Sequence, residues 1–154
     1  MDIDEISNRI EALDGVLVLR PGPGDGSPEI SWGDRFFYYA PDGVVPPTQP
    51  FATIVTKDYP DDQASRLDRP DTFRLNVSAG SARFRAVTGH DPKEPATGDP
   101  KPDEEDVLFP HPVYGTLGWL CVVNPGARTQ TEVDDLLRTA RDLARARFQR
   151  RQEG

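Results

Sequence analysis

The chain has 154 residues, a formal net charge of -8, one cysteine and a mean hydropathy of -0.61. A single thiol excludes an internal disulfide, and with it a disulfide-stapled secreted scaffold. The negative balance argues against a general surface for nucleic acid or anionic lipid. The start, Met1-Asp2-Ile3-Asp4-Glu5, has no apolar run of the signal-peptide kind, and no stretch approaches the ~18 apolar residues of a membrane span; a cytoplasmic location is expected.

In chain order, Ile3, Ile6, Ile10 and Leu13 recur at helical spacing and predict an amphipathic helix over 2–13. Asp2 and Glu5 stand at capping-box spacing, and Gly15 suits the left-handed residue that ends the helix. A strand at 16–20 and a Gly/Pro loop at 21–28 follow. Residues 29–32 and 35–40 predict two strands joined by a Gly33-Asp34 hairpin turn. Four prolines exclude regular structure from 41–50. Strands at 51–57 and 72–78 flank a polar connection with a helical turn near 63–67, and a short helix at 81–88 closes at Gly89.

The stretch 91–106 holds seven acids, two lysines and four prolines, and no aromatic residue. It reads as an extended, mobile acidic loop within a single domain over 1–154. A strand at 117–123 and a turn at Asn124-Pro125-Gly126 lead to a long helix over 130–152, capped by Thr129 and Glu132. Hairpin-joined strands imply antiparallel pairing, and only the chain ends supply long helices. The predicted fold class is therefore α+β: an antiparallel β-sheet of about six strands, with the N-terminal and the long C-terminal helices packed on one face.

Three segments carry a resemblance: Trp32-Gly33-Asp34-Arg35-Phe36-Phe37-Tyr38-Tyr39-Ala40-Pro41-Asp42-Gly43, Phe51-Ala52-Thr53-Ile54-Val55-Thr56-Lys57-Asp58-Tyr59-Pro60, and His111-Pro112-Val113-Tyr114-Gly115 leading to Gly118-Trp119. They resemble a small actinobacterial protein family of unknown function, which implies no activity. Phe73-Arg74-Leu75-Asn76-Val77 followed by Phe84, with a strand leading into a long C-terminal helix, is more loosely similar to the MmcQ/YjbR group. That resemblance implies a compact antiparallel sheet flanked by helices, and DNA binding.

Several local features have plain structural readings. The loop Pro21-Gly22-Pro23-Gly24-Asp25-Gly26-Ser27 is glycine-rich like a phosphate cradle, yet it lacks a lysine and leads into a strand rather than a helix. Asp103-Glu104-Glu105-Asp106 is contiguous, whereas calcium loops alternate their ligands, so a solvated loop is expected. His90 and His111 alone do not complete a zinc site, though a carboxylate could; no metal and no cofactor is implied. Cys121 reads as a buried, inert strand thiol. Arg147 and Arg151 fall on the apolar stripe of the last helix. Either that helix overshoots the core, or these arginines turn to the sheet and hold an anion.

The outer sheet face is the main lead. Alternation sets Thr72, Arg74, Asn76 and Ser78 against Phe73, Leu75 and Val77. Phe36 and Tyr38 oppose Phe37 and Tyr39, so one aromatic pair lies beside the polar set. Arg74, Asn76, Tyr38, Tyr39, Trp32 and Lys57, with Glu29 a further candidate, would then form a ligand site of aromatic walls and a few aimed polar groups. The plainer alternative is that loop 41–50 or a dimer partner covers the aromatics.

Function stays unassigned, with three classes in view. The first is a binding or accessory protein for a small organic ligand or a protein partner, as monomer or homodimer. The second is a cofactor-independent enzyme in which His111, held between Pro110 and Pro112, and Tyr114 do acid–base work while Arg74 or Lys57 holds an anionic substrate. It requires His111, Tyr114 and Arg74 within about 10 Å of one another. The third, nucleic-acid binding, is disfavoured by the net charge.

Overall fold

A computed structural model describes residues 1–95 and 98–153. Six strands form one sheet in the order β1-β2-β3-β4-β6-β5. They are β1 Val16–Leu19, β2 Arg35–Tyr39, β3 Ala52–Val55, β4 Arg74–Ser78, β5 Leu108–Pro110 and β6 Trp119–Val123, and every neighbouring pair is antiparallel. Helices α1 Ile3–Glu11, α2 Gly80–Thr88 and α3 Gln130–Glu153 cover one face. The α+β architecture, with both terminal helices on the same side of the sheet, is the one expected from the sequence.

The period-2 pattern divides the sheet into two chemically different faces. Phe37, Ile54, Leu75, Val77, Leu120 and Val122 point towards the helices, where they meet Ile6 and Ile10 of α1, Phe84 of α2, and Val133, Leu136, Leu137 and Ala140 of α3 in one core. Each such Leu, Ile or Phe stabilises the fold by roughly 1.5–3 kcal/mol through the area it removes from water. The other face carries Leu17 and Leu19, Phe36 and Tyr38, Thr53 and Val55, Arg74 and Asn76, and Trp119 and Cys121, paired across the strands in register.

Local signals set the helix ends. The Asp2 side chain accepts from the Glu5 amide at 2.8 Å and starts α1. Gly89, with φ 81°, ends α2. The Thr129–Glu132 capping box expected from the sequence is not made: the Thr129 hydroxyl donates instead to Asp106 Oδ1 at 2.6 Å. The Asp106 carboxylate also accepts from the backbone N–H groups of Gly126, Arg128 and Thr129. Asp106 thus holds the turn that leads into α3 through a charged acceptor from a distant segment.

The structure differs from the sequence expectation at residues 29–34 and 108–110. Residues 29–32 are not a strand: Glu29–Ser31 is a 3₁₀ turn. The register explains why, since β1 and β3 occupy both edges of β2 and leave no place for another strand. Gly33-Asp34 is consequently no hairpin turn. A short strand at Leu108–Pro110, absent from the sequence reading, pairs with β6 at the sheet edge. Arg147 and Arg151 are exposed, with the Arg151 guanidinium 5.7 Å over the Phe148 ring, so the last turns of α3 overshoot the core. Within 91–106 the described residues make specific bonds: Arg66 to Asp103 at 3.1 Å, Asn124 to Glu105 at 2.8 Å, and the Asp106 cap.

Candidate functional site

The open face holds a cavity of about 530 Å³. Its floor is sheet: Thr53 and Val55 from β3, Arg74 and Asn76 from β4. Its walls are apolar and aromatic. Phe36 and Tyr38 rise from β2, Trp119 from β6, and Val113, Tyr114 and Leu117 from the segment before β6. Ile30 of the 3₁₀ turn and Tyr59 close the opposite side. Gln49 and Pro50, at the end of the proline-rich loop, also line the cavity.

Arg74 anchors the floor. Its guanidinium is 1% exposed, and all its nitrogens have protein neighbours. Nε donates to Asn76 Oδ1 at 2.7 Å. Nη1 donates to Asp62 Oδ1 and to Ser65 Oγ, each at 3.0 Å, and Nη2 to Asp62 Oδ2. Asn76 spends its own amide on Thr53 Oγ1 at 2.8 Å, and its Oδ1 also accepts from Cys121 Sγ at 3.0 Å. A buried charge is tolerated only when so satisfied. Asp62 reaches this position because Tyr59 and Asp62 exchange backbone hydrogen bonds of 3.2 and 2.9 Å, closing a tight turn. The turn sits in a loop held by Asp58, which accepts from the Leu67 amide at 2.8 Å.

His111 lies behind Arg74, with Nε2 at 3.2 Å from Nη2 and 3.8 Å from Asp62 Oδ2. The backbone N–H groups of Val113 and Tyr114 both point at Nδ1, each at 3.0 Å. Two amide donors outweigh one guanidinium, so Nδ1 is the acceptor and the neutral ring carries its proton on Nε2. Burial, then the Arg74 charge, pulls the imidazole down to about 4, against a smaller opposing pull from Asp62. The ring is therefore neutral at physiological pH and has no free lone pair. Burial likewise pushes the Cys121 thiol up, away from a nucleophilic thiolate.

Of the residues singled out from the sequence, Arg74, Asn76, Tyr38, His111 and Tyr114 come together around this cavity. The His111 and Tyr114 rings lie 4.9 Å apart, well inside the distance the acid–base reading requires. Three others stand elsewhere. Tyr39 turns to the helix face, edge-on to Phe148 at 5.4 Å; of the two aromatic pairs, Phe36 and Tyr38 are the ones beside the polar set. Lys57 donates to the carbonyls of Ile30 and Trp32 and to Asp34 Oδ1, at 2.6, 2.8 and 3.0 Å, and so ties the 3₁₀ segment to β3. Trp32 contributes that backbone carbonyl, not a cavity wall.

Sequence reasoning missed Asp62, Ser65, Tyr59 and Asp34. Asp34 is fully buried and accepts from Thr56, Lys57 and Tyr59. No periodicity marks these residues, because their side-chain partners lie 9 to 25 positions away. The one available signal was negative: an arginine on an otherwise neutral strand face demands a carboxylate from outside the sheet.

The model of a family described as "Family of unknown function (DUF6194)" matches residues 1–153, and the chain belongs to that family. No curated protein and no solved structure matches. Among the described residues, no helix is long and apolar enough to cross a membrane, and no group of three His, Cys, Asp or Glu residues is placed to hold a metal ion.

Proposed function

We propose that this chain is a binding protein that captures a small organic ligand on its open sheet face without covalent chemistry. One observation carries the reading: an aromatic-walled cavity of about 530 Å³ whose polar floor groups satisfy one another. The volume lies in the range of small-molecule sites, as does the combination of an apolar body with a few fixed polar groups.

The enzyme reading draws on the closeness of His111, Tyr114 and Arg74. Two features count against it. A general base needs a free lone pair, and the only one on His111 is taken by two backbone amides. An anionic substrate needs an unmatched cation, and Arg74 and Lys57 already hold Asp62 and Asp34. The arginine-rich end of α3 is the one feature in favour of nucleic acid, the function implied by the looser MmcQ/YjbR resemblance. Retention on heparin at low salt is its direct test.

A thermal-shift screen of metabolite-sized compounds against the parent and a Tyr38→Ala variant tests the binding reading. A compound at 100 times its Kd stabilises the fold by about 2.7 kcal/mol. The expected hit raises the parent's Tm and loses its effect in Tyr38→Ala. Hits that stabilise both proteins equally would put binding elsewhere and overturn the reading.

A further inference from the structure

The charge of the cavity is wrong for an anion. Three ionisable lining groups carry charge at neutral pH: Arg74, Asp61 and Asp62, one cation against two carboxylates, for a sum of -1. Arg74 and Asp62 cancel in their two-pronged pair. Asp61, next in the same turn, is exposed and makes no salt bridge among the described residues. The unmatched charge at the mouth is therefore negative, and the net charge of -8 on the whole chain adds a field of the same sign.

The walls suit the same kind of guest. Phe36, Tyr38, Tyr114 and Trp119 present aromatic surface to the cavity. Aromatic faces attract cations through the ring quadrupole, more strongly where water is excluded. Tyr59 is left out of this count because Lys57 already lies 6.0 Å from its ring centroid. Two carboxylates and a set of rings are a poor donor set for a divalent metal, which takes several oxygen or nitrogen ligands.

We infer that the ligand of this cavity is an organic cation, an ammonium group on an apolar body, with the body against Phe36, Tyr38 and Trp119 and the ammonium beside Asp61 and Tyr114. This inference rests on the reading of the cavity as a ligand site and adds the chemical class. Asp61 supplies the counter-charge, and the exposed Tyr114 ring shields the ammonium from water.

Isothermal titration and NMR of the full chain with three probes of one skeleton test it: 2-phenylethylammonium, 2-phenylethanol and 3-phenylpropanoate, charged +1, 0 and -1. The cation is expected to bind on the order of tenfold more tightly than the alcohol, and the carboxylate more weakly than either. Asp61→Asn and Tyr114→Leu, both at exposed positions, are each expected to remove most of that preference; a preference that survives both would overturn the cation class. Equal binding of cation and alcohol, lost in Tyr38→Ala, would overturn the cation class and leave the cavity as a ligand site. Preference for the carboxylate would do the same. Binding insensitive to Tyr38→Ala, or no binding of any probe at millimolar concentration, would count against the cavity itself.

Discussion

Arg74 and Asp62 meet two-on-two beneath the cavity, Nη1 to Oδ1 at 3.0 Å and Nη2 to Oδ2. Asp62→Leu would leave the guanidinium buried and unpaired, at an expected cost of about 3–5 kcal/mol. Replacing both residues, with Arg74→Met added, is expected to recover most of that loss. Urea denaturation of the parent, both single variants and the double variant gives the coupling energy. A coupling under about 1 kcal/mol, the value of an exposed pair, would contradict the burial of this one. Burial pushes the Asp62 carboxyl up, but the hydrogen bonds and charge of Arg74 more than offset this and hold it low. The pair's contribution is thus complete above the ordinary carboxylate range and is lost as pH falls through the lowered value.

The two histidines are expected to titrate in opposite directions. The His111 value is drawn from 6.5 down to about 4. Between those two values the unfolded chain holds a proton that the folded chain lacks. Stability therefore falls as pH drops, with a slope of up to about 1.4 kcal/mol per pH unit. His90 is raised, first by its bond to the Asp91 carbonyl and then by the Asp99 carboxylate. Its contribution is complete below its unfolded value and is lost as pH rises through the raised one. Nitrogen-15 NMR should show His111 as the Nε2–H tautomer with a titration midpoint of about 4. A midpoint near 6.5 would mean that the ring is not enclosed as described.

Tyr38 and Tyr39 are neighbours in sequence and belong to different faces. Tyr39→Ala removes the contact with Phe148 and opens the space that Gly15 leaves for the Tyr39 ring, where any Cβ on residue 15 would collide with it. A loss of roughly 2–4 kcal/mol is expected, with ligand affinity unchanged. Tyr38→Ala is expected to cost less stability and to abolish binding. The reverse outcome in paired denaturation and binding measurements would invert the assignment of faces.

Asp106 ties the acidic segment to the start of α3. Asp106→Ala is expected to destabilise the chain by about 1–2 kcal/mol and to speed amide exchange in the first turn of α3. Asp106 has φ 54°, a left-handed conformation that asparagine tolerates, so Asp106→Asn should cost less. Unchanged exchange in that turn on Asp106→Ala would mean that Asp106 does not hold the start of α3.

The class of the fold is legible in the chain's periodicity. Helical spacing of Ile3, Ile6 and Ile10, and alternation in β1, β3, β4 and β6, are enforced by the burial of one face of each element, so they are written locally. The same alternation marked Arg74 and Asn76 as facing away from the core. Where local pattern and tertiary arrangement conflict, the pattern misled: 29–32 alternates like a strand, but both edges of β2 are taken.

The site, by contrast, is set by long-range packing. All four residues of Phe36-Phe37-Tyr38-Tyr39 are aromatic, so alternation defines two pairs without saying which faces the helices. That depended on where Phe148 and the core of α3 come to rest. The partner of Arg74 is supplied by a turn whose sequence, Tyr59-Pro60-Asp61-Asp62, announces a bend and nothing about its destination. The accepting role of His111 Nδ1 follows from two backbone amides that the turn after Pro112 happens to aim inward. These are long-range or geometric facts: an ion pair or a tautomer is fixed by what approaches in space, and a one-dimensional pattern records only what each residue does relative to its own strand or helix.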